Sequence, residues 1–274
     1  MSRLAIQESR TSNPVFSTTA MRGLIERRRG FDDDYSLAPD TVTVEGAALK
    51  TTLLAGIVIG IAAAIMLTFL PVIQQTRAIP PVLMGLMLAG MIGGLVMALW
   101  TIFVPTHSPV TSCIYACCQG LFIGGVSTLF ELMYPAIVVQ AVGITFGALF
   151  AVLALYGTGV IKVNDTFRAV IIGSMFAIFF VYLITLLFGL FSVQVPFLHQ
   201  MVSLKGGWLA IAFSGFVCVI ATLSFALDFQ NIVDAREARA PKWFEWYLGF
   251  GLLVTMIWLY LEVLRLLAKL RNNE

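Results

Sequence analysis

Three carboxylates stand within or at the rim of long apolar runs, where charge is costly. Glu131 closes GLFIGGVSTLFE, Asp228 ends WLAIAFSGFVCVIATLSFALD, and Glu262 sits well inside IWLYLEVLRLLAKL. On insertion scales an ionisable group within a membrane span costs about 2.5 to 3.5 kcal/mol, so each has either a local partner or a function. For Glu262 two readings stand: an intrahelical pair with Arg265, both heads reaching toward the interface, or a proton- or cation-binding carboxylate that faces the interior. Asp228 shares a helical face with Ser224 and Asn231. A solvated helix end accounts for Asp228 and Asn231, but less easily for Ser224 one turn deeper. Glu131 is followed by LMYP and reads first as a cap at the interface. His107 and His199 lie in loop segments with no ligand constellation, and fit an ordinary surface role.

The chemistry open to such carboxylates is proton and cation exchange. Two carboxyl groups held together cannot both ionise cheaply, so a pair would share a proton near neutral pH. Its deprotonation creates repulsion, or a hard-oxygen site for a divalent cation. Asp228 and Glu262 are the pair in question, also as candidate metal ligands, with Ser224, Asn231, Arg265 and Glu131 as support. Spacing raises a difficulty. If the chain turns near Arg239 to Lys242, Asp228 lies about 10 residues from the turn and Glu262 about 20, a depth difference of ~15 Å for upright helices. They meet only if the helices tilt, stagger or break, and spacing alone would as readily put Glu262 near Glu131.

The elements that position these groups follow from composition. Of 274 residues 59% are hydrophobic and 12% charged, with a mean hydropathy of +0.92. That is about half the charge of an ordinary soluble domain, too little polar surface to coat a water-soluble globule. A spanning helix needs about 20 apolar residues. Cutting the chain at its polar and proline-bearing breaks predicts seven spans, near 50–70, 81–104, 110–132, 135–157, 168–191, 207–230 and 244–268. The expected fold is all-α, one seven-helix transmembrane bundle over 47–274 with a polar tail over 1–46. Glycines four apart (Gly56 and Gly60, Gly90 and Gly94, Gly120 and Gly124, Gly143 and Gly147) suggest close helix contacts. A short amphipathic helix around Met21 to Arg29 would lie on the membrane surface. Trp243, Trp246, Tyr247, Trp258 and Tyr260 read as interfacial anchors and packing in the last helix.

With the N-terminus cytoplasmic, 12 of the 17 lysines and arginines fall on that side and 5 on the other, so the positive-inside bias favours this orientation. Arg265, Lys269 and Arg271 fit it badly, and a re-entrant last segment would return them to the cytoplasm. No cleavable signal peptide is expected, since 1–46 lacks an apolar core. Cys113, Cys117, Cys118 and Cys218 lie in apolar runs and read as small hydrophobes. A net charge of +2 without a basic stripe argues against nucleic acid as a partner. No Walker loop, HExxH, GxSxG or dinucleotide-binding glycine loop occurs, and no enzyme is expected.

LDFQNI at 227–232 followed by WLYLEVLRLL at 258–267, with TSNPVF at 11–16 and YPAIVVQAVGITFGALFAVLALYGTG at 134–159, resembles the Bax-inhibitor family of transmembrane Bax-inhibitor-motif proteins, in its bacterial YccA-like branch. The likeness runs over roughly 11–270. It implies a bundle whose last helix is surrounded by the other six, in the bacterial inner membrane. It further implies pH-sensitive calcium leak, with a latch of two acids that falls on Asp228 and Glu262 by motif. Eukaryotic members are associated with suppression of cell death. The chain departs from the pattern in two places: the second acid is glutamate where aspartate is usual, and the second span, GLMLAGMIGGLVMALWTIFVP, lacks the acid and the arginine that hold the latch in the leak-channel members. His107 is the titratable group nearest that span, a weak substitute. The expected function is a pH-sensitive cation leak channel or transporter with no cofactor beyond transient Ca2+. The alternative is a non-transporting regulator or scaffold that binds a membrane protease or another membrane protein. A proton-coupled small-molecule transporter ranks third, as no inverted repeat is evident.

Overall fold

A computed structural model describes residues 41–191, 203–204 and 207–273. The tail up to residue 40, its amphipathic segment, TSNPVF, His199 and Lys205 lie outside the described residues. From Val42 onward the chain forms one compact unit.

Seven helices are long and apolar enough to cross a membrane. They are α1 (Val44–Thr76), α2 (Pro81–Phe103), α3 (Ser108–Met133), α4 (Ile137–Gly157), α5 (Asp165–Leu190), α6 (Gly207–Glu237) and α7 (Phe244–Arg271). The spans match the expected ones, but α1 and α6 run longer. α1 starts six residues earlier because Thr43 caps it, its hydroxyl accepting from the Gly46 N–H at 2.9 Å. At 33 residues, roughly 50 Å, it exceeds the ~30 Å of hydrocarbon and projects from it. Its polar last turns, QQT, stay helical until Arg77 takes the left-handed conformation. α6 likewise carries NIVDARE as helix to Glu237. Polarity marks where these helices leave the lipid, not where they end.

α7 is the core. Of its most apolar window 61% is buried, against 11% for α5 and 17% for α1 and α2. α1, α3, α4 and α6 pack on it directly, whereas α2 rests on α3, and α5 rests on α6 and reaches α7 through Tyr182. The expected ring of six is thus four helices with two outriders. The helix is unbroken from Phe244 to Arg271, so the last segment crosses and does not re-enter.

Small residues set the closest approaches at two of the four expected glycine pairs. A Cβ on Gly124 would lie 2.8 Å from the Ile65 Cβ and 2.9 Å from the Ala62 Cα, and one on Gly90 2.5 Å from the Cys118 carbonyl oxygen. Gly120 and Gly94 meet α1 and α3 in the same way. By contrast Gly56, Gly60, Gly143 and Gly147 have nothing within 4 Å, since they sit on faces turned from the helix contacts.

Candidate functional site

Glu262 lies on α7 and is fully buried. The Tyr182 hydroxyl of α5 donates to its Oε1 at 2.6 Å, and Arg265 pairs with the same oxygen. The Arg265 guanidinium also lies over the Tyr182 ring, 5.2 Å from its centroid, a cation–π contact that fixes the plane of the charge. One turn further on, Lys269 is 2% exposed, and its ammonium donates to the Ser214 hydroxyl at 2.8 Å and the Ala210 carbonyl at 3.2 Å, both on α6. Glu262, Arg265 and Lys269 recur at i, i+3 and i+7, one stripe of α7. The two readings of Glu262 are therefore not exclusive: it pairs with Arg265 and faces the interior.

Asp228 occupies a different place in the same α6–α7 seam. Its polar neighbour is the Thr255 hydroxyl of α7. Glu262 is seven residues beyond Thr255, two turns or about 10 Å along the axis. Among the described residues no hydrogen bond or ion pair joins the two carboxylates. The structure places them in two pockets, as the spacing difficulty foreshadowed. Each keeps one oxygen, Asp228 Oδ2 and Glu262 Oε2, that is buried without a hydrogen-bond partner.

The supporting residues divide. Ser224 is buried, and its hydroxyl donates back to the Ile220 carbonyl at 2.8 Å and lies 3.5 Å from the Met175 sulfur of α5, so it serves its own helix and the α5 contact and not Asp228. Asn231 is exposed. Glu131 caps α4: its oxygens accept from the backbone N–H groups of Ala136 at 2.6 Å and Val138 at 3.2 Å, which settles the left-handed Ala136 (φ 64°) at the turn. It is not joined to Glu262. Tyr260 is an interior group, with its hydroxyl 2.6 Å from that of Ser127. His107 accepts from the Trp100 indole at 3.3 Å. Among the described residues no cluster of three or more His, Cys, Asp or Glu could hold a metal ion.

Sequence reasoning passed over Tyr182, Lys269, Thr255 and Glu245. Glu245 is 1% exposed and accepts from the Thr43 N–H at 3.1 Å and hydroxyl at 3.0 Å, tying the start of α7 to the start of α1. A carboxylate at a helix N-terminus is favoured by the macrodipole. The i, i+7 spacing of Glu262 and Lys269 was the signal that would have found the buried lysine. The basic C-terminal end now has an account: Arg265 pairs with Glu262, Lys269 bonds α6, and Arg271 donates to the Pro135 carbonyl at 2.7 Å and Gln140 at 3.0 Å. These cations are committed within the protein, so they bear little on the loop bias.

Fold and site together define an integral membrane protein of seven spans, with ionisable groups built into the helix at its centre. The family model described as Bax inhibitor 1 like matches residues 13–272, and the chain belongs to that family. Comparison with curated proteins and with solved structures found no match.

Proposed function

We propose that the protein is a pH-sensitive cation leak pathway, with calcium as the test ion, running along the α6–α7 seam past Asp228 and Glu262. The observation that supports this reading is that two of the three buried, partnerless carboxylate oxygens among the described residues, Asp228 Oδ2 and Glu262 Oε2, lie well inside membrane-spanning helices. The third, Glu245 Oε2, is at the first turn of α7. An acceptor left unsatisfied in a low-dielectric interior is costly, and a proton or a hard cation is what relieves it. The carboxylates act in series, two turns apart, and not as one proton-sharing pair. The Thr255 hydroxyl of α7 borders Asp228 but donates to the Gly251 carbonyl at 3.4 Å, so a charge on Asp228 has no committed partner and strains the seam where the helices must part for an ion to pass. By the positive-inside bias of 1–50 and the loops at 162–168 and 236–242, the N-terminus is cytoplasmic.

The test is calcium entry into liposomes holding the full-length protein, followed across pH 5 to 8. Flux should rise with pH as a proton leaves the Asp228 carboxyl. Asp228→Asn should flatten that dependence, and Glu262→Gln should lower the flux at every pH. Equal flux and equal pH dependence in both variants would defeat the reading. Absence of flux from the unmodified protein would leave the non-transporting regulator as the better account.

A further inference from the structure

α1 and α4 each pack on α7 far more closely than on each other, and a cavity of about 320 Å³ opens between them. Ala62 and Met66 of α1, Val142 and Phe146 of α4, and Met256 and Tyr260 of α7 form its walls. We propose that this cavity is a binding site for one acyl tail of a bilayer phospholipid.

Three features of the lining select that chemistry. Its hydroxyls are already engaged, with Ser127 and Tyr260 bonded to each other at 2.6 Å and Thr145 donating to the Ala141 carbonyl at 2.8 Å. A polar ligand therefore finds no free partner, and water, which needs about two to four polar partners, has no reason to stay. Size is the second. An apolar cavity of about 150 Å³ stays dry and takes up benzene, and this one is about twice that volume. It is nevertheless far too small for another helix, which is ~10 to 12 Å across. Depth is the third. The lining runs from Ala55 to Leu67 near the middle of α1 and from Leu253 to Tyr260 near the middle of α7. At that level the membrane offers hydrocarbon tails and little else. Ile59, Leu67 and Val142, exposed by 47%, 75% and 37%, carry the lipid-facing surface into the mouth, while Met256 at the back is 7% exposed.

An occupant would take the place of a side-chain contact between α1 and α4 and lie against the buried face of α7. This site does not depend on ion conduction, so either reading can fail alone. Its test places the full-length protein in phosphatidylcholine vesicles doped with phosphatidylcholine that carries a mid-chain diazirine. After irradiation, adducts should reach Met256 and exceed those on Leu88 and Ile92, which are exposed on α2. Val142→Trp, or Ala63→Phe from the opposite wall should the first variant not fold, should reduce the Met256 adduct several-fold and leave the α2 adducts unchanged. No adduct at Met256, or equal labelling in the filled variant, would overturn the site. Labelling by a diazirine fatty acid but not by the phospholipid would overturn the choice of a phospholipid tail.

Discussion

Glu262, fully buried, and Asp228, half-buried with its Oδ2 enclosed, lie along one seam about two turns apart, and the protein treats their charges differently. Around Glu262 it assembles a guanidinium from α7 and a phenol from α5, and one turn beyond Arg265 an α7 ammonium that α6 holds by hydrogen bonds. Beside Asp228 it places one threonine hydroxyl. A buried charge is tolerated when it is paired and hydrogen-bonded, and is otherwise expensive. The first pocket is therefore built to hold an ionised group in one geometry. The second holds a group whose charge has no counterpart, so a change in its protonation must be felt by the helices around it. α7 supplies the guanidinium itself, three residues from the acid.

The largest effect should come from breaking the compensated pocket. Removing one partner of a buried ion pair costs about 3 to 5 kcal/mol, and the lower end applies because the Arg265 side chain is 36% exposed. Arg265→Met should thus lose about 3 kcal/mol in thermal or steric-trap unfolding in detergent. Combining it with Glu262→Gln should recover most of that loss, since no charge is then left unpaired. If the double variant is no better than the single one, Arg265 acts through packing and the contrast between the pockets weakens. Tyr182→Phe comes next: a hydrogen bond to a charged group contributes about 1.5 to 3 kcal/mol, so a loss near 2 kcal/mol is expected in the same assay. A larger loss than for Arg265→Met would make the phenol, and not the guanidinium, the main anchor of Glu262.

Asp228→Asn sharpens the other side. The amide has nearly the same shape and carries no charge, so the variant avoids an unpaired ion that the unmodified chain must hold once the carboxyl ionises. Its stability relative to the unmodified chain should climb as pH rises, by about 1 to 3 kcal/mol, the penalty for a buried unsatisfied group. Unfolding midpoints measured from pH 5 to pH 9 check the sign. A difference that shrinks with rising pH would mean that a cation compensates Asp228 after all.

How much of this was legible in the sequence differs between the two levels of description. The spans were, because hydrocarbon forces continuous apolar runs, and QQT and NIVDARE misled only at helix ends that protrude from the lipid. The acids were also visible, as charges in those runs. What the sequence could not supply was the partner across a helix contact. Tyr182 is 80 residues from Glu262, and Ser214 is 55 from Lys269, distances at which no helical period operates. Lys269 counted only as a basic residue that fitted the orientation badly; its spacing from Glu262 marked the shared stripe, but its partners on α6 were not visible. Glu131 looked like a candidate for the site until the left-handed turn at Ala136 showed what its oxygens serve. Gly56 and Gly124 carry the same small-residue spacing, yet only Gly124 meets a neighbouring helix; a pattern on one helix does not say which face its neighbour takes.

The smallest expected effect is also the most specific. Thr255→Val keeps the shape of the side chain and removes the hydroxyl beside Asp228. The hydroxyl donates to the Gly251 carbonyl at 3.4 Å and borders Asp228, so the loss should be about 1 kcal/mol, the net contribution of a neutral hydrogen bond, if Asp228 is uncharged when the measurement is made. The same substitution in the Asp228→Asn background should then cost the same, because hydroxyl to carboxylic acid and hydroxyl to amide are both neutral contacts. Raising the pH until Asp228 ionises should separate the two backgrounds, since a bond to a charged acceptor is roughly twice as strong. The double-mutant cycle therefore reports the protonation of one buried group as a coupling that is near zero at low pH and grows with pH. A coupling that is large and constant across the range would mean that Asp228 is ionised throughout, and the two pockets would then differ in geometry but not in kind.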